Sequence, residues 1–152
     1  MDAASIDLRS DAVTHPTEEM REAMKRARVG AYLDDEDPTV SELERLGATR
    51  FGKQAALFLP SATMANLISC MYYCKPGEQV LLDEDAHVHL NEVNGMTRLA
   101  SVPPRVVRRA GAAPDLAALE KVLSHRGAGE APVSLLWVEN TRNAGGVQSQ
   151  TA

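Results

Sequence analysis

The apolar positions of this chain switch repeatedly between two spacings. Apolar residues three or four apart mark helices, and short unbroken apolar runs mark strands. Ile6 to Val13 reads as a short extended segment, followed by a turn around Pro16. Met20, Ala23, Met24 and Ala27 then carry helical spacing behind Glu18 and Glu19, until Gly30 breaks it. Acids in a first helical turn suit the positive end of the helix dipole. Asp37-Pro38 is a good N-cap and first-residue pair. Val40, Leu43, Leu46 and Phe51 mark one side of the helix that follows, and Gly52 is its natural stop.

Ala55 to Leu59 is an apolar run of strand length, closed by Pro60, and Asn66 to Tyr72 reads as a helix. Gln79 to Leu82 is a second strand. Val88 to about Leu99 is another helix, and Val102 to Val107 a weaker strand interrupted by Pro103-Pro104. Pro114 to Leu123 is a helix with Leu116, Leu119, Val122 and Leu123 inward. Ser134 to Val138 is a last strand without alternation, as in a parallel sheet covered on both faces. Strands alternating with helices predict an α/β fold with a mainly parallel sheet and flanking helices.

Composition narrows the classes. Hydrophobic residues at 44% and charged residues at 24% in 152 residues describe a soluble globular chain. A net charge of −5 without a basic block argues against a nucleic-acid partner. The longest apolar runs, such as Val133 to Val138, are too short to span a bilayer. Residues Met1 to Ile6 have neither the basic nor the apolar region of a signal peptide, so a cytoplasmic protein is expected. Cys70 and Cys74 share one helix face but have no partner ligands at zinc spacing, and read as free buried thiols in a reducing compartment. No metal site is expected. The acidic loop Tyr32 to Asp37 lacks the alternating ligands and glycine of a calcium loop.

The candidate chemistry sits where strands hand over to helices. Ser61 and Thr63 lie in the turn after Pro60, ahead of a helix N-terminus. Unpartnered N–H groups and the macrodipole make such a turn an anion cradle. By itself the pattern is no more than a Ser/Thr N-cap. Ligands of open α/β sheets, however, bind at the carboxyl ends of the strands. Ser61-Ala62-Thr63, His87 and Glu139-Asn140-Thr141 all fall there, which favours phosphate binding. Neither a Gly-x-Gly-x-x-Gly nor a Gly-x-x-x-x-Gly-Lys-Ser/Thr motif is present, so the phosphate belongs to some other cofactor.

A set of short motifs then occurs in order: Ile6-Asp7-Leu8-Arg9-Ser10-Asp11, Pro16-Thr17-Glu18-Glu19-Met20, Glu36-Asp37-Pro38-Thr39, Phe51-Gly52-Lys53, Pro60-Ser61-x-Thr63-Met64-x-Asn66 and Glu139-Asn140-Thr141. Together, from Ile6 to about Gly146, they resemble the low-specificity L-threonine aldolases of the β-eliminating-lyase group, which have the aspartate-aminotransferase-like pyridoxal-phosphate fold. The resemblance implies the N-terminal part of a fold-type I large domain, with residues 1–30 as arm and first helix and 31–152 as the start of the large domain. It places Ser61, Ala62 and Thr63 at the cofactor phosphate. His87 falls where a histidine stacks on the pyridine ring and serves catalysis. Ser10 falls at the amino-acid carboxylate, and Glu92 at an acidic position near the site.

The implied cofactor is pyridoxal 5′-phosphate, and the implied reaction is retro-aldol cleavage of threonine or allo-threonine to glycine and acetaldehyde. The implied partners are a small β-hydroxy amino acid and further copies of the chain in a homo-oligomer. Departures are also visible. Ala62 replaces the family's glycine, Asp34 stands where a tyrosine is usual, and Arg142 replaces a histidine. None of Lys25, Lys53, Lys75 or Lys121 has the context of the Schiff-base lysine. A truncated form lacking that lysine, inactive alone, is therefore expected. An inactive remnant acting only through self-association, and another pyridoxal-phosphate enzyme (an aminotransferase or β-eliminating lyase), are the alternatives.

Overall fold

A computed structural model describes residues 6–7, 11–31, 37–92, 94–110, 113–125 and 127–140. Ser10, most of the acidic loop and Thr141 onward lie outside the described residues. The chain divides into two compact units, Met1–Phe58 and Leu59–Ala152.

The first unit holds a short 3-10 turn, Asp11–Val13, and helices α1 (Glu18–Arg26) and α2 (Pro38–Phe51). Thr17 caps α1, its hydroxyl accepting from the Met20 N–H at 3.3 Å. The Asp37 carboxylate caps α2. Its Oδ1 accepts from the Thr39 and Val40 N–H groups, each at 3.0 Å, and its Oδ2 from Gly30 at 3.1 Å. The Val40 and Gly30 bonds hold the Asp37 carboxyl below its usual range. Gly52 ends α2 at φ +61°, a left-handed position that suits glycine. The apolar stripes of both helices stay at the surface: Met20, Met24, Leu43, Leu46 and Phe51 are all exposed.

Ala55 to Leu59 forms no strand, contrary to its apolar pattern. Ala55 to Phe58 are exposed, and the Phe58 N–H donates to Glu44 Oε1 at 2.7 Å instead of to a ladder. A strand exists only through its neighbours, and no described strand pairs with this run.

The second unit is built on a parallel sheet of β1 (Gln79–Asp83), β2 (Pro104–Val107) and β5 (Val133–Leu136), in the order β2-β1-β5. A small antiparallel pair, β3 (Arg109–Ala110) and β4 (Ala113–Pro114), follows β2. The α/β reading with a parallel sheet is thus borne out. Successive residues of β1 point to opposite faces. Val80 and Leu82 join Cys70, Cys74, Val88, Met96 and Val102 on one face, below α3 (Ala62–Tyr73), α4 (His87–Leu90) and α5 (Gly95–Arg98). Leu81 joins Val107 and Leu119 on the other face, below α6 (Leu116–Ser124). The result is helices on both faces of the sheet.

Two expectations need correction here. The predicted helix from Val88 to Leu99 is two short helices, because Asn94 sits at φ +58° between them. Asparagine tolerates that left-handed conformation, and Asn94-Gly95 is a turn signal. The last strand is also not covered on both faces. Its residues alternate between half-buried and exposed, with Leu136 at 43% exposure, and among the described residues β5 lies at the edge of the sheet. Pro104 opens the other edge strand, the position a sheet tolerates for proline. Cys70 and Cys74 are free and buried, as expected, and burial pushes the Cys70 thiol up to about 11.

Candidate cofactor site

Three strand ends converge on one turn. β1 ends at Asp83, fully buried, whose Oδ1 accepts from the Asp85 N–H at 3.0 Å. The Glu84 N–H donates to the Val107 carbonyl at the end of β2, at 3.0 Å. Arg109, just beyond β2, pairs its Nε with Asp85 Oδ2 at 2.8 Å, and its own N–H donates to Glu84 Oε1 at 3.3 Å. From beyond β5, Glu139 Oε2 accepts the His87 N–H at 2.8 Å. All three carboxyl ends thus fix the segment that delivers His87, the first residue of α4. His87 is half-buried, with 43% of its side chain exposed.

A fourth anchor comes from α3. Glu92, whose side chain is 6% exposed, lies with Oε1 2.7 Å from Asn66 Nδ2 and 3.7 Å from His87 Nε2. Asn91 places its side-chain amide 3.4 Å from His87 Nδ1. Asn66 belongs to the second turn of α3, so His87 and the start of that helix share one carboxylate.

The N-terminus of α3 is open. Ser61 is its N-cap, and Ser61 Oγ accepts from the Met64 N–H at 3.1 Å. The Ala65 N–H closes the first intrahelical bond on the Ser61 carbonyl at 3.1 Å. The N–H groups of Ala62 and Thr63 therefore precede the helical ladder. The Ser61 hydroxyl, already an acceptor, keeps its hydrogen for a further partner. Ser61, Ala62 and Thr63 are all exposed. Ala62 occupies the first helical position, outside the positive-φ residues, so this backbone has no need of glycine. The donors present suit a phosphate: two amide N–H groups, two hydroxyls and the positive end of a 12-residue helix.

The profile of the beta-eliminating lyase family matches residues 7–152. The chain belongs to the beta-eliminating lyase family. Among its curated relatives, the probable low-specificity L-threonine aldolase 2 of Arabidopsis thaliana is 43% identical over 147 residues, covering 93% of this chain and 41% of the relative. The low specificity L-threonine aldolase of Escherichia coli K12 is 40% identical over 141 residues, 91% of this chain and 42% of its own length. That of Saccharomyces cerevisiae is 38% identical over 146 residues, with 91% and 37% covered. The chain thus spans about two-fifths of the length of these relatives. The resemblance carried by the motifs is borne out along nearly the whole of this chain.

Sequence order alone put His87 after a strand end, which the structure shows; it also put the Ser61 turn at one, but Ala55 to Leu59 forms no strand, so that turn is only the cap of α3. Sequence order could not pair Asn66 with Glu92, or the His87 N–H with Glu139, because these partners are 26 and 52 residues apart. The Arg109–Asp85 pair gave no signal either. No helix among the described residues is long and apolar enough to cross a membrane, and no described cluster of His, Cys, Asp or Glu could hold a metal ion.

Proposed function

We propose that Ser61, Ala62 and Thr63 hold the phosphate of pyridoxal 5′-phosphate and that His87 stacks on its ring, for retro-aldol cleavage of a small β-hydroxy amino acid such as threonine. The single observation that carries this reading is the open N-terminus of α3, tied through Asn66 and Glu92 to the histidine. When bound, pyridoxal phosphate supplies an electron sink for charge developing at the substrate Cα. The chain's own contributions are more local. The Ala62 and Thr63 N–H groups and the Ser61 and Thr63 hydroxyls would bind and orient the phosphate. The half-buried imidazole of His87 would cover one face of the ring with its flat side and keep water from it.

Ser10 is proposed at the substrate carboxylate on the strength of its motif. Lys75 lies before β1, at the end of the sheet away from His87, and Lys121 sits on α6, under the opposite face. Neither is proposed as the Schiff-base lysine. Self-association into a homo-oligomer is also proposed. The exposed Met64, Ile68, Met71, Tyr72 and Tyr73 along α3 would be covered by it. We place the protein in the cytoplasm on its sequence character.

Trp137 offers the test. It is the sole tryptophan, half-buried against the core face below α3, and two residues from Glu139. Its fluorescence should be quenched by pyridoxal phosphate, and pyridoxal without the phosphate should need at least about tenfold more ligand, the equivalent of ~1.4 kcal/mol. Inorganic phosphate should compete. Equal affinity for the two vitamers, with no competition, would refute the phosphate cradle.

A further inference from the structure

Glu92 has no place in the reading above except as a link, yet it is the most unusual group near the site. Its side chain is only 6% exposed. A buried carboxylate is costly without donors. It has one at hydrogen-bond distance, Asn66 Nδ2 at 2.7 Å, and faces a second, His87 Nε2 at 3.7 Å. The opposite ring nitrogen of His87 meets a group of the other polarity. Asn91 presents its NH2 to Nδ1 at 3.4 Å. A carboxylate can only accept and an NH2 group can only donate. Of the two tautomers of a neutral imidazole, both neighbours therefore select the one protonated on Nε2 and bare on Nδ1. The Glu139 carboxylate fixes the backbone of the same residue by accepting its N–H at 2.8 Å.

We propose that Glu92 is a positioning residue: held by Asn66, it sets the orientation and the Nε2–H tautomer of His87 and makes that ring one rigid assembly with α3. The tautomer and the orientation stand on these contacts alone. What the ring is positioned against, the pyridine face of the cofactor, rests on the proposed function. The role requires an acceptor at residue 92 and a donor at residue 66, but not a charge. Glutamine at 92 keeps the acceptor oxygen, whereas alanine removes it. Alanine at 66 leaves the carboxylate in place but releases it from α3.

The experiment is long-range ¹⁵N–¹H correlation of the imidazoles in the full chain at about pH 8.5, some two units above the ordinary histidine value. Only four histidines contribute, and His87→Gln identifies the signal. Wild type and Glu92→Gln should show one protonated and one bare ring nitrogen, widely separated in shift. In Glu92→Ala and Asn66→Ala the two shifts should move toward each other as the tautomers mix. A general loss of structure would show in the thermal midpoint of the same samples; a positioning role shows in the ring nitrogens. Should Glu92→Ala not fold, Asn66→Ala decides alone. Ring nitrogens unchanged in the alanine variants would overturn the proposal. A wild-type pattern lost in Glu92→Gln would overturn it as well, by showing that charge matters and not the acceptor. Pyridoxal phosphate is then added to the wild-type sample. No response of His87 would remove the cofactor reading and leave the positioning role standing.

Discussion

Leu81→Ala should cost roughly 2–5 kcal/mol of folding stability, the range for a leucine truncated in a closed core. Leu81 is fully buried on the central strand, paired with Arg105 on one side and Leu136 on the other, and packs with Val107 and Leu119 under α6. Truncation there leaves a cavity with neighbours held by two parallel ladders, so little collapse can fill it. Such a loss is a large share of the 5–15 kcal/mol that stabilises an ordinary domain. Leu136→Ala is the control. The same residue type on the neighbouring edge strand is 43% exposed, and its truncation should cost well under half as much. Urea unfolding of the three proteins measures both. Equal losses would mean that β1 is not the centre of the sheet.

Thr63→Glu should move stability and cofactor affinity in opposite directions. Thr63 is exposed in the first turn of α3. A carboxylate there meets the positive end of the helix dipole and should stabilise the fold by about 0.3–1 kcal/mol. The same carboxylate would occupy the position proposed for the phosphate and repel it. Affinity for pyridoxal phosphate should therefore fall by more than about tenfold, over ~1.4 kcal/mol, while the thermal midpoint holds or rises. Thr63→Val, which removes only the hydroxyl, should lose affinity to a smaller degree. Unchanged affinity in Thr63→Glu would take the phosphate away from α3.

Local chemistry was legible in the sequence where it involves neighbours along the chain. Asp37-Pro38 and Gly52 bound α2 where their residue types require, since a cap needs only the next three residues. The central strand was readable because Val80, Leu81 and Leu82 are buried on both faces of the sheet. The run at Ala55 to Leu59 misled for the same reason in reverse. Apolar residues of strand length say what a segment tolerates, whereas a ladder depends on a neighbour that the segment does not encode. Leu116 and Leu123 were placed inward by spacing, yet they are 71% and 60% exposed, because α6 (Leu116–Ser124) turns Leu119, with Ala118 and Val122, to the sheet and leaves both of its ends outside that contact. In the site, His87 could be found by its position after a strand end, whereas Ser61 to Thr63 could be found only as a Ser/Thr cap ahead of a helix, since the strand expected before them does not form. The Glu92 strut could not, since nothing in residues 66 and 92 separately announces that a fold will bring them to 2.7 Å.

The account stands most directly on where pyridoxal phosphate touches this chain. Backbone amide shifts of the ¹⁵N-labelled full chain, followed as the cofactor is added, read that contact residue by residue. The largest changes should fall on the Ala62, Thr63 and Met64 amides and on His87, and should persist when the four lysines are blocked by methylation. Changes confined to lysines, or gathered along the open groove of α2 lined by Arg45, Lys53 and Gln54, with the start of α3 silent, would contradict it.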